Sequence, residues 1–165
     1  MALTLYNKIR FLLDNLEIGF LETDHLPVYN GPDVIAKLNT DPEEESKSLV
    51  IIFNKSIAVV TIPIDEKLAP SSLRSIGIPK FKFLPAHAFV TAIGIQPGAV
   101  APFGYNDSIH CFISSVFLSR QKINFNPGVN DKTFQIGANG LQDLVAAGFI
   151  NLLLQDLVAA GFINL

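Results

Sequence analysis

The sequence has few cysteines, which cross-link small proteins, and few charged residues, which are frequent in disordered chains. Its 165 residues include one cysteine, Cys111, which excludes an internal disulfide framework and a cysteine-rich zinc site and favours a reducing compartment. Only 16% of the residues are charged and the mean hydropathy is +0.38, so the chain as a whole is not disordered. Its length fits one domain that buries its own core.

The signatures of several enzyme classes are also missing. The sequence has no GxSxG nucleophile elbow, no P-loop, no GxGxxG after a strand and no HExxH zinc motif. The three histidines, His25, His87 and His110, lie far apart and lack the spacing of metal ligands. His110 and Cys111 are neighbours on a predicted strand, so their side chains point to opposite faces and cannot form a dyad. We therefore expect no metal and no cofactor, and interpret Cys111 as a core residue.

Neither end of the chain carries a long uninterrupted apolar run. Near the N terminus, apolar residues recur at helical spacing, at Leu5, Ile9, Leu12 and Leu16. Because charged residues lie between them, the pattern predicts an amphipathic helix and not a targeting signal. Polar residues interrupt the apolar C-terminal segment well before about 20 positions. We expect a cytoplasmic protein with no membrane partner.

The C terminus contains an internal repeat. The segment LQDLVAAGFINL begins at residue 141 and occurs again at 154–165. Two such short copies do not make a solenoid, whose repeats are longer and more numerous. We expect the domain to span 1–153, and the second copy at 154–165 to be an appendage or a sequence artefact.

The formal net charge of −3 is unevenly distributed along the chain. Residues 1–46 contain nine acids and three bases, whereas residues 47–132 contain nine bases and four acids. The pI of about 5.5 argues against a protein that coats nucleic acid, but the basic centre is compatible with a local anionic partner. A chance division of a solvated surface is the alternative interpretation.

Hydrophobic patterning predicts helices that alternate with strands. Helices are predicted over 3–16, from about 30 through 38, and over 65–76, 85–93 and 139–147. Strands are predicted near 18–22, 48–54, 56–64, 109–118, 122–126 and 132–136, the second and third forming a buried hairpin around Asn54 and Lys55. The pattern indicates the α/β (mixed α+β) class, a single domain with a mixed, mostly antiparallel sheet covered by helices.

Three features of the sequence remain without an obvious structural role. Lys47 opens the apolar strand, residues 97–102 (PGAVAP) form a small-residue loop that leaves backbone N–H groups uncovered, and residues 126–133 (NPGVNDKT) form a polar turn. Each has a structural alternative: an edge lysine, a tight connection and an ordinary turn.

In this order, the three features resemble the YbaK-type prolyl-tRNA editing domains. KSLV at 47–50 is similar to the lysine and strand of that family, GAVAP at 98–102 to its GxxxP loop, and 126–133 to its final polar segment. HLPV at 25–28 is similar to the family's upstream segment, and the resemblance covers about residues 10–153. It implies the YbaK-like fold.

The resemblance also implies an activity, that of a trans-editing hydrolase that cleaves the ester of mischarged tRNA, most specifically Ala-tRNA(Pro). A synthetase site shaped for proline cannot strongly reject a smaller amino acid, so a second site must remove the error. The implied partners are the acceptor end of mischarged tRNA, with tRNA-Pro first, and prolyl-tRNA synthetase. The implied state is a monomer or a homodimer.

The resemblance assigns roles to individual residues. Lys47, Gly98 and Pro102 would be catalytic. The residues that would bind substrate are Ala99, Val100, Ala101, Asn126, Asn130, Thr133 and His25. Two departures from the family pattern, Asn126 in place of histidine and Ser114-Ser115 where an acid is frequent, favour the alternative of a catalytically weak aminoacyl-tRNA or nucleotide-binding module.

Overall fold

Two β-sheets form the framework of the protein in a computed structural model that describes residues 4–30, 32–34 and 40–154. The strands are β1 (Leu21–Asp24), β2 (Ser46–Phe53), β3 (Ser56–Pro63), β4 (Lys82–Phe83), β5 (Ile109–Ser114), β6 (Lys122–Phe125), β7 (Lys132–Gly137) and β8 (Asn151–Leu153). One sheet has the order β1-β7-β6 and is antiparallel; the other has the order β4-β2-β3-β5-β8 and is mixed. A bridge between Glu45 and Asn124 links the two sheets.

Helices pack around these sheets. They are α1 (Leu5–Asn15), α2 (Pro70–Arg74), α3 (Phe89–Ile93) and α4 (Ala138–Ala146), with 3₁₀ turns at Ala86–Ala88 and Ser115–Ser119. The first helix begins after Thr4, whose hydroxyl accepts a hydrogen bond from the N–H of Asn7 and so satisfies one of the free donors of the first turn. None of the helices in the described part of the chain has the length and apolar character to cross a bilayer.

The β2–β3 hairpin lies at the centre of the five-stranded sheet and is buried on both faces. Val50 and Val59 contribute to a core cluster on one face, whereas Ile51 and Val60 contribute to a second cluster on the other. Because successive side chains alternate between faces, a strand buried on both sides has a continuous apolar run. The predicted hairpin is therefore confirmed, with Asn54 at φ 45° and its neighbour also at positive φ, as a two-residue hairpin turn requires.

Three predicted elements differ from the structure in extent. The helix predicted over 65–76 is restricted to Pro70–Arg74, because a proline holds the preceding residue, here Ala69, in an extended conformation. The strand predicted over 109–118 ends at Ser114, whose hydroxyl accepts from the N–H of Val116 and begins a 3₁₀ turn. The strand predicted near 18–22 is Leu21–Asp24.

The other predicted helices and strands either match the structure or lie in residues that the structure does not describe. The helices predicted at 3–16, 85–93 and 139–147 and the strands at 122–126 and 132–136 are all present. The helix predicted from about 30 is seen at 32–34, while residues 35–39 and the second repeat from 155 onward lie outside the described residues. The short strands β4 and β8 were not predicted.

Candidate active site

A cavity of about 390 Å³ lies where β2 begins. Its walls come from the start of β2, from residues 28–30 and 34, from residues 83–89 and from the loop at 97–100. The polar side chains among its described lining residues include Ser46, Lys47, Ser48 and Asn126, whereas most of the other lining residues are apolar. We call it the lysine cavity.

Lys47 is the only charged side chain among the described residues that line the lysine cavity. It is half-buried and pairs across the hairpin with Ile62. Its neighbour Ser48 exchanges a hydrogen bond of 2.8 Å with Thr61, which fixes the strand next to the lysine. An ammonium group in a mainly apolar cavity without a lining carboxylate has its positive charge available for an anionic ligand.

Gly98 brings the small-residue loop against the segment at 28–29. Its φ is +83°, and a Cβ at this position would lie 2.5 Å from the carbonyl oxygen of Val28 and 2.8 Å from the Cα of Tyr29. Both the left-handed backbone and the close approach demand glycine. The loop therefore contacts the neighbouring backbone directly at the wall of the lysine cavity.

Asn126 fastens this loop to the turn between β6 and β7. Its side-chain N–H donates to the carbonyl of Gly98, and its Oδ1 accepts from the N–H of Gly128 at 3.0 Å. Both ends of the amide are thus engaged in positioning the backbone. Since an amide does not titrate, Asn126 contributes geometry and polarity to the cavity and no proton.

The backbone donors of the loop are only partly free. The N–H of Ala99 donates to the carbonyl of Gln96 at 3.0 Å, and the N–H of Ala101 donates to the hydroxyl of Tyr105 at 2.9 Å. Pro102 has no N–H, so the expected set of donors is reduced. The N–H groups of Gly98 and Val100 make no hydrogen bond to any described residue, and both residues line the cavity.

Tyr105 holds the buried part of the loop. Its hydroxyl accepts from the N–H of Ala101 and donates to the carbonyl of the same residue at 2.8 Å. Burial raises the pKa of Tyr105 well above its ordinary value, so the phenol stays protonated and keeps both bonds. Ala101 is fully buried, which explains the small side chain by packing against the core.

A second cavity, also of about 390 Å³, contains two of the predicted substrate-binding residues. His25 and Thr133 line it together, and the His25 Nε2 lies 2.8 Å from the Thr133 Oγ1. Its described lining also includes the three carboxylates Asp24, Asp41 and Glu44, with no lysine or arginine among them. We call it the acidic cavity.

Asn130 lies in neither lining, as far as the described residues define the two cavities. Its carbonyl accepts a hydrogen bond of 2.9 Å from the N–H of Val28, and the next residue, Asp131, accepts from the N–H of His25. The turn at 126–133 therefore ties the segment at 25–28 in place. Of the predicted site residues, the structure brings Lys47, Gly98, Val100 and Asn126 to one cavity. Ala99, Ala101, Pro102 and Asn130 line neither of the two cavities, whereas His25 and Thr133 line the acidic cavity.

A buried polar network separates the two cavities and was not found from the sequence. The carboxylate of Glu45, 3% exposed, accepts from the Thr40 hydroxyl at 2.6 Å and from the Asn124 side chain at 2.8 Å. The Oδ1 of Asn124 accepts in turn from Gln135, and its carbonyl accepts from Ser46. Glu45 belongs to an acidic run that looks like a solvated loop, so only tertiary contacts reveal its burial.

The remaining candidate groups for chemistry lie away from these cavities. Burial raises the pKa of the Cys111 thiol to about 12, so it stays neutral in the core and is a poor nucleophile. In the described residues, no group of three histidine, cysteine, aspartate or glutamate side chains is arranged to hold a metal ion.

Comparison with known proteins gives a family and a shared fold. The family model for the aminoacyl-tRNA editing domain matches residues 25–144, whereas a comparison with curated proteins gave no significant match. A crystal structure of the hypothetical protein APE2540 is similar with a TM-score of 0.75 and 21% identity, covering 88% of this chain and 97% of that one.

A second similar structure is described as "a putative trans-editing enzyme for prolyl tRNA synthetase". Its TM-score is 0.67 at 14% identity, and the alignment covers 92% of this chain and 96% of that one. At such low identities the two structures establish the fold, and they agree with the predicted mixed α+β class. The family match spans most of the chain, including the Lys47 strand, the small-residue loop and the polar turn, and the protein belongs to the aminoacyl-tRNA editing domain family.

Proposed function

We propose that the protein is a trans-acting aminoacyl-tRNA deacylase that removes alanine from mischarged tRNA-Pro. The observation that carries this proposal is the composition of the lysine cavity, with Lys47 as its only charged described side chain beside the free N–H groups of Gly98 and Val100. An ammonium group and two backbone N–H groups without a partner among the described residues suit an ester that develops negative charge as it reacts.

The reaction needs little from the protein beyond positioning. Water attacks the carbonyl carbon of the ester, and the negative charge that forms on the carbonyl oxygen is stabilised by the N–H groups of Gly98 and Val100. The bond to the ribose oxygen then breaks, that oxygen takes the proton released by the water, and the free amino acid leaves. Lys47 holds the adjoining phosphate or the ester, so that the reacting atoms stay in place.

The preference for alanine is proposed from the walls of the cavity. Val28, Leu49 and Val100 present small or branched apolar side chains, which suit a methyl group. The description of the similar structure as a trans-editing enzyme for prolyl tRNA synthetase supports tRNA-Pro as the acceptor and prolyl-tRNA synthetase as the enzyme whose errors are removed. We propose that the protein acts in the cytoplasm and belongs to the YbaK-type branch of the family.

A deacylation assay tests this function. Ala-tRNA(Pro), Cys-tRNA(Pro) and Pro-tRNA(Pro) are incubated with the protein, and the release of each amino acid is followed. We expect Ala-tRNA(Pro) to be hydrolysed at least about tenfold faster than Pro-tRNA(Pro), because an editing site that admits the methyl group excludes the larger proline ring by size. Faster loss of cysteine would reassign the substrate.

A catalytically weak binding module is the second candidate, and the amide of Asn126 is the observation that favours it. Both ends of this side chain are occupied by backbone groups, so it cannot act as a proton carrier in place of a histidine. Hydrolysis of none of the three substrates, with tRNA binding retained, would establish the module and refute the deacylase.

A further inference from the structure

The strand β4 and the residues before it alternate lysine with phenylalanine. The sequence Pro79-Lys80-Phe81-Lys82-Phe83 ends at the edge of the five-stranded sheet, where β4 is the outermost strand. Lys80, Lys82 and Phe83 are all exposed. Alternating positive charge and aromatic rings are typical of surfaces that bind single-stranded nucleic acid.

Pairing with β2 fixes the direction of these side chains. Phe83 pairs with Ile51 and Lys82 with Ile52, and the N–H of the following Leu84 donates to the carbonyl of Val50 at 2.8 Å. Neighbouring residues therefore point to opposite faces of the sheet. Lys82 and Phe83 therefore project from opposite faces of the sheet edge in fixed directions.

One phenylalanine supports the other. The rings of Phe81 and Phe83 are 5.5 Å apart and perpendicular, a favourable edge-to-face arrangement. Phe81 packs against the second core cluster, while Phe83 remains 57% exposed. The exposed ring is thus held in place by a partly buried one.

The strand lies between two hollows of the surface. Phe83 lines the lysine cavity, and because it is also largely exposed it stands at the cavity's mouth. Lys80 and Lys82 line an adjoining open groove of about 630 Å³ together with Ile52 and Asn54. No aspartate or glutamate is among the described residues that line either one.

Lysines on an edge strand also have a common structural explanation, since charge at a sheet edge prevents unwanted pairing with another chain. That explanation does not extend to Phe83, because an exposed aromatic ring at the edge makes such pairing easier. The ring is better explained by a ligand that covers it, and the lysines make that ligand an anion.

We propose that β4 is the docking strand for the single-stranded 3′ end of the tRNA. A base of this end stacks on Phe83 at the mouth of the lysine cavity, and the RNA crosses the sheet edge so that Lys80 and Lys82, on the opposite face of β4, bind the phosphates that precede it. Lys47 lies further in, where the terminal aminoacyl ester is held. The inference rests on the proposed function, whose substrate it positions.

Binding of a 5′-labelled single-stranded RNA that ends in CCA, followed by fluorescence anisotropy, tests the docking strand without any catalysis. We expect Phe83→Ala to weaken binding about tenfold, because stacking of a base on an aromatic ring has about this effect. The double variant Lys80→Ala/Lys82→Ala should weaken binding and reduce the dependence of log K on log salt by about one to two.

Matched controls come from elsewhere on the surface. Phe11→Ala removes a ring from α1 that is 58% exposed, close to the 57% of Phe83, and Lys122→Ala removes an exposed strand lysine from β6. Neither should change RNA binding by more than about twofold. Equal effects of Phe83→Ala and Phe11→Ala, or no measurable binding by the parent protein, would overturn the docking strand.

Two further substrates separate this inference from the proposed function. With Ala-tRNA(Pro), the β4 variants should raise KM and leave kcat nearly unchanged; with the alanyl ester of adenosine, which lacks phosphates, Lys80→Ala/Lys82→Ala should have no effect. Deacylation that is intact and insensitive to all β4 variants refutes the docking strand alone. RNA binding that depends on Phe83 without any deacylation refutes the deacylase alone.

Discussion

The lysine cavity and the acidic cavity have the same volume, about 390 Å³, and opposite charge. Lys47 is the one charged described side chain in the first, whereas Asp24, Asp41 and Glu44 line the second. A phosphate or a developing oxyanion is attracted to the first, whereas Asp41 and Glu44 disfavour it in the second, where Asp24 is paired with Lys132. Size alone does not distinguish the two, and electrostatics does.

The difference follows the uneven charge of the chain. The three carboxylates of the acidic cavity belong to residues 1–46, which contain nine of the fifteen acids. Lys47, Lys80 and Lys82 belong to the basic segment 47–132. The charged lining residues of the two cavities therefore come from different halves of the charge pattern, although Lys132 of the basic segment forms an ion pair with Asp24 at 2.5 Å.

Asn124 is the residue at which the two cavities meet. It lines the acidic cavity, and its backbone carbonyl accepts a hydrogen bond of 2.6 Å from the hydroxyl of Ser46, which lines the lysine cavity. Glu45, bonded to the Asn124 amide, comes two residues before Lys47. One short stretch of chain thus carries a buried acid on one side of the boundary and the proposed functional lysine, Lys47, on the other.

The largest effect is expected at Lys47. Lys47→Ala removes the only charged side chain among the described residues that line the lysine cavity and should lower kcat/KM for Ala-tRNA(Pro) by about a hundredfold, the scale of misplacing the reacting atoms. Thermal unfolding should change little, because the side chain is only half-buried. Lys122→Ala serves as the control, and a Lys47→Ala enzyme of parental rate would refute the assignment.

Gly98→Ala is expected to distort the wall of the same cavity. The new Cβ would meet the Val28 carbonyl at 2.5 Å in a backbone of positive φ, so urea unfolding should reveal a loss of about 2–4 kcal/mol together with a fall in kcat. Gly94→Ala has a similar φ of +72° with open space around it, and should cost about 1 kcal/mol. Equal losses would contradict the close approach.

Asn124→Ala tests the boundary between the cavities. It leaves the buried Glu45 carboxylate without one donor and Gln135 without its acceptor, so the free energy of unfolding should fall by about 2–3 kcal/mol. Gln135→Ala, which removes only the outer bond, should cost about half as much. Unfolding by urea measures both, and a neutral Asn124→Ala would mean that the network contributes nothing.

The smallest effects on catalysis are expected in the acidic cavity. His25→Ala and Thr133→Val break the 2.8 Å contact between these side chains, but should change kcat/KM by less than about threefold if only the lysine cavity receives the ester. The steady-state rates with Ala-tRNA(Pro) decide this. A loss comparable to that of Lys47→Ala would extend the active site into the acidic cavity and restore the role that the resemblance assigned to these residues.

The elements that could be predicted from the sequence are those stabilised by interactions between residues close together in the chain. The β2–β3 hairpin and α1 were predictable, because their apolar periodicity and turn residues act over a few positions. The two-residue strand β4 was not, since its pairing with Ile51 and Ile52 depends on a distant segment. The helix at 65–76 was overestimated because the constraint that Pro70 places on Ala69 outweighed helical spacing.

The candidate site was also predictable from the sequence only in part. The order of Lys47, the small-residue loop and the polar turn was enough to indicate the family, because those residue types at those places are set by local chemistry. The partition of the motif residues between two cavities was decided by tertiary contacts: Asn126 ties Gly98 to the turn, while His25 and Thr133 pair with each other in the acidic cavity.

The sequence by itself determined that this protein has a mixed α+β fold of the editing type and a basic central segment, since composition, periodicity and motif order are properties of the chain. Only the tertiary structure decided which charges share a cavity, because segments far apart in sequence converge there. It brought Phe83 of the edge strand to the mouth of the cavity that holds Lys47, and it buried Glu45 away from that cavity.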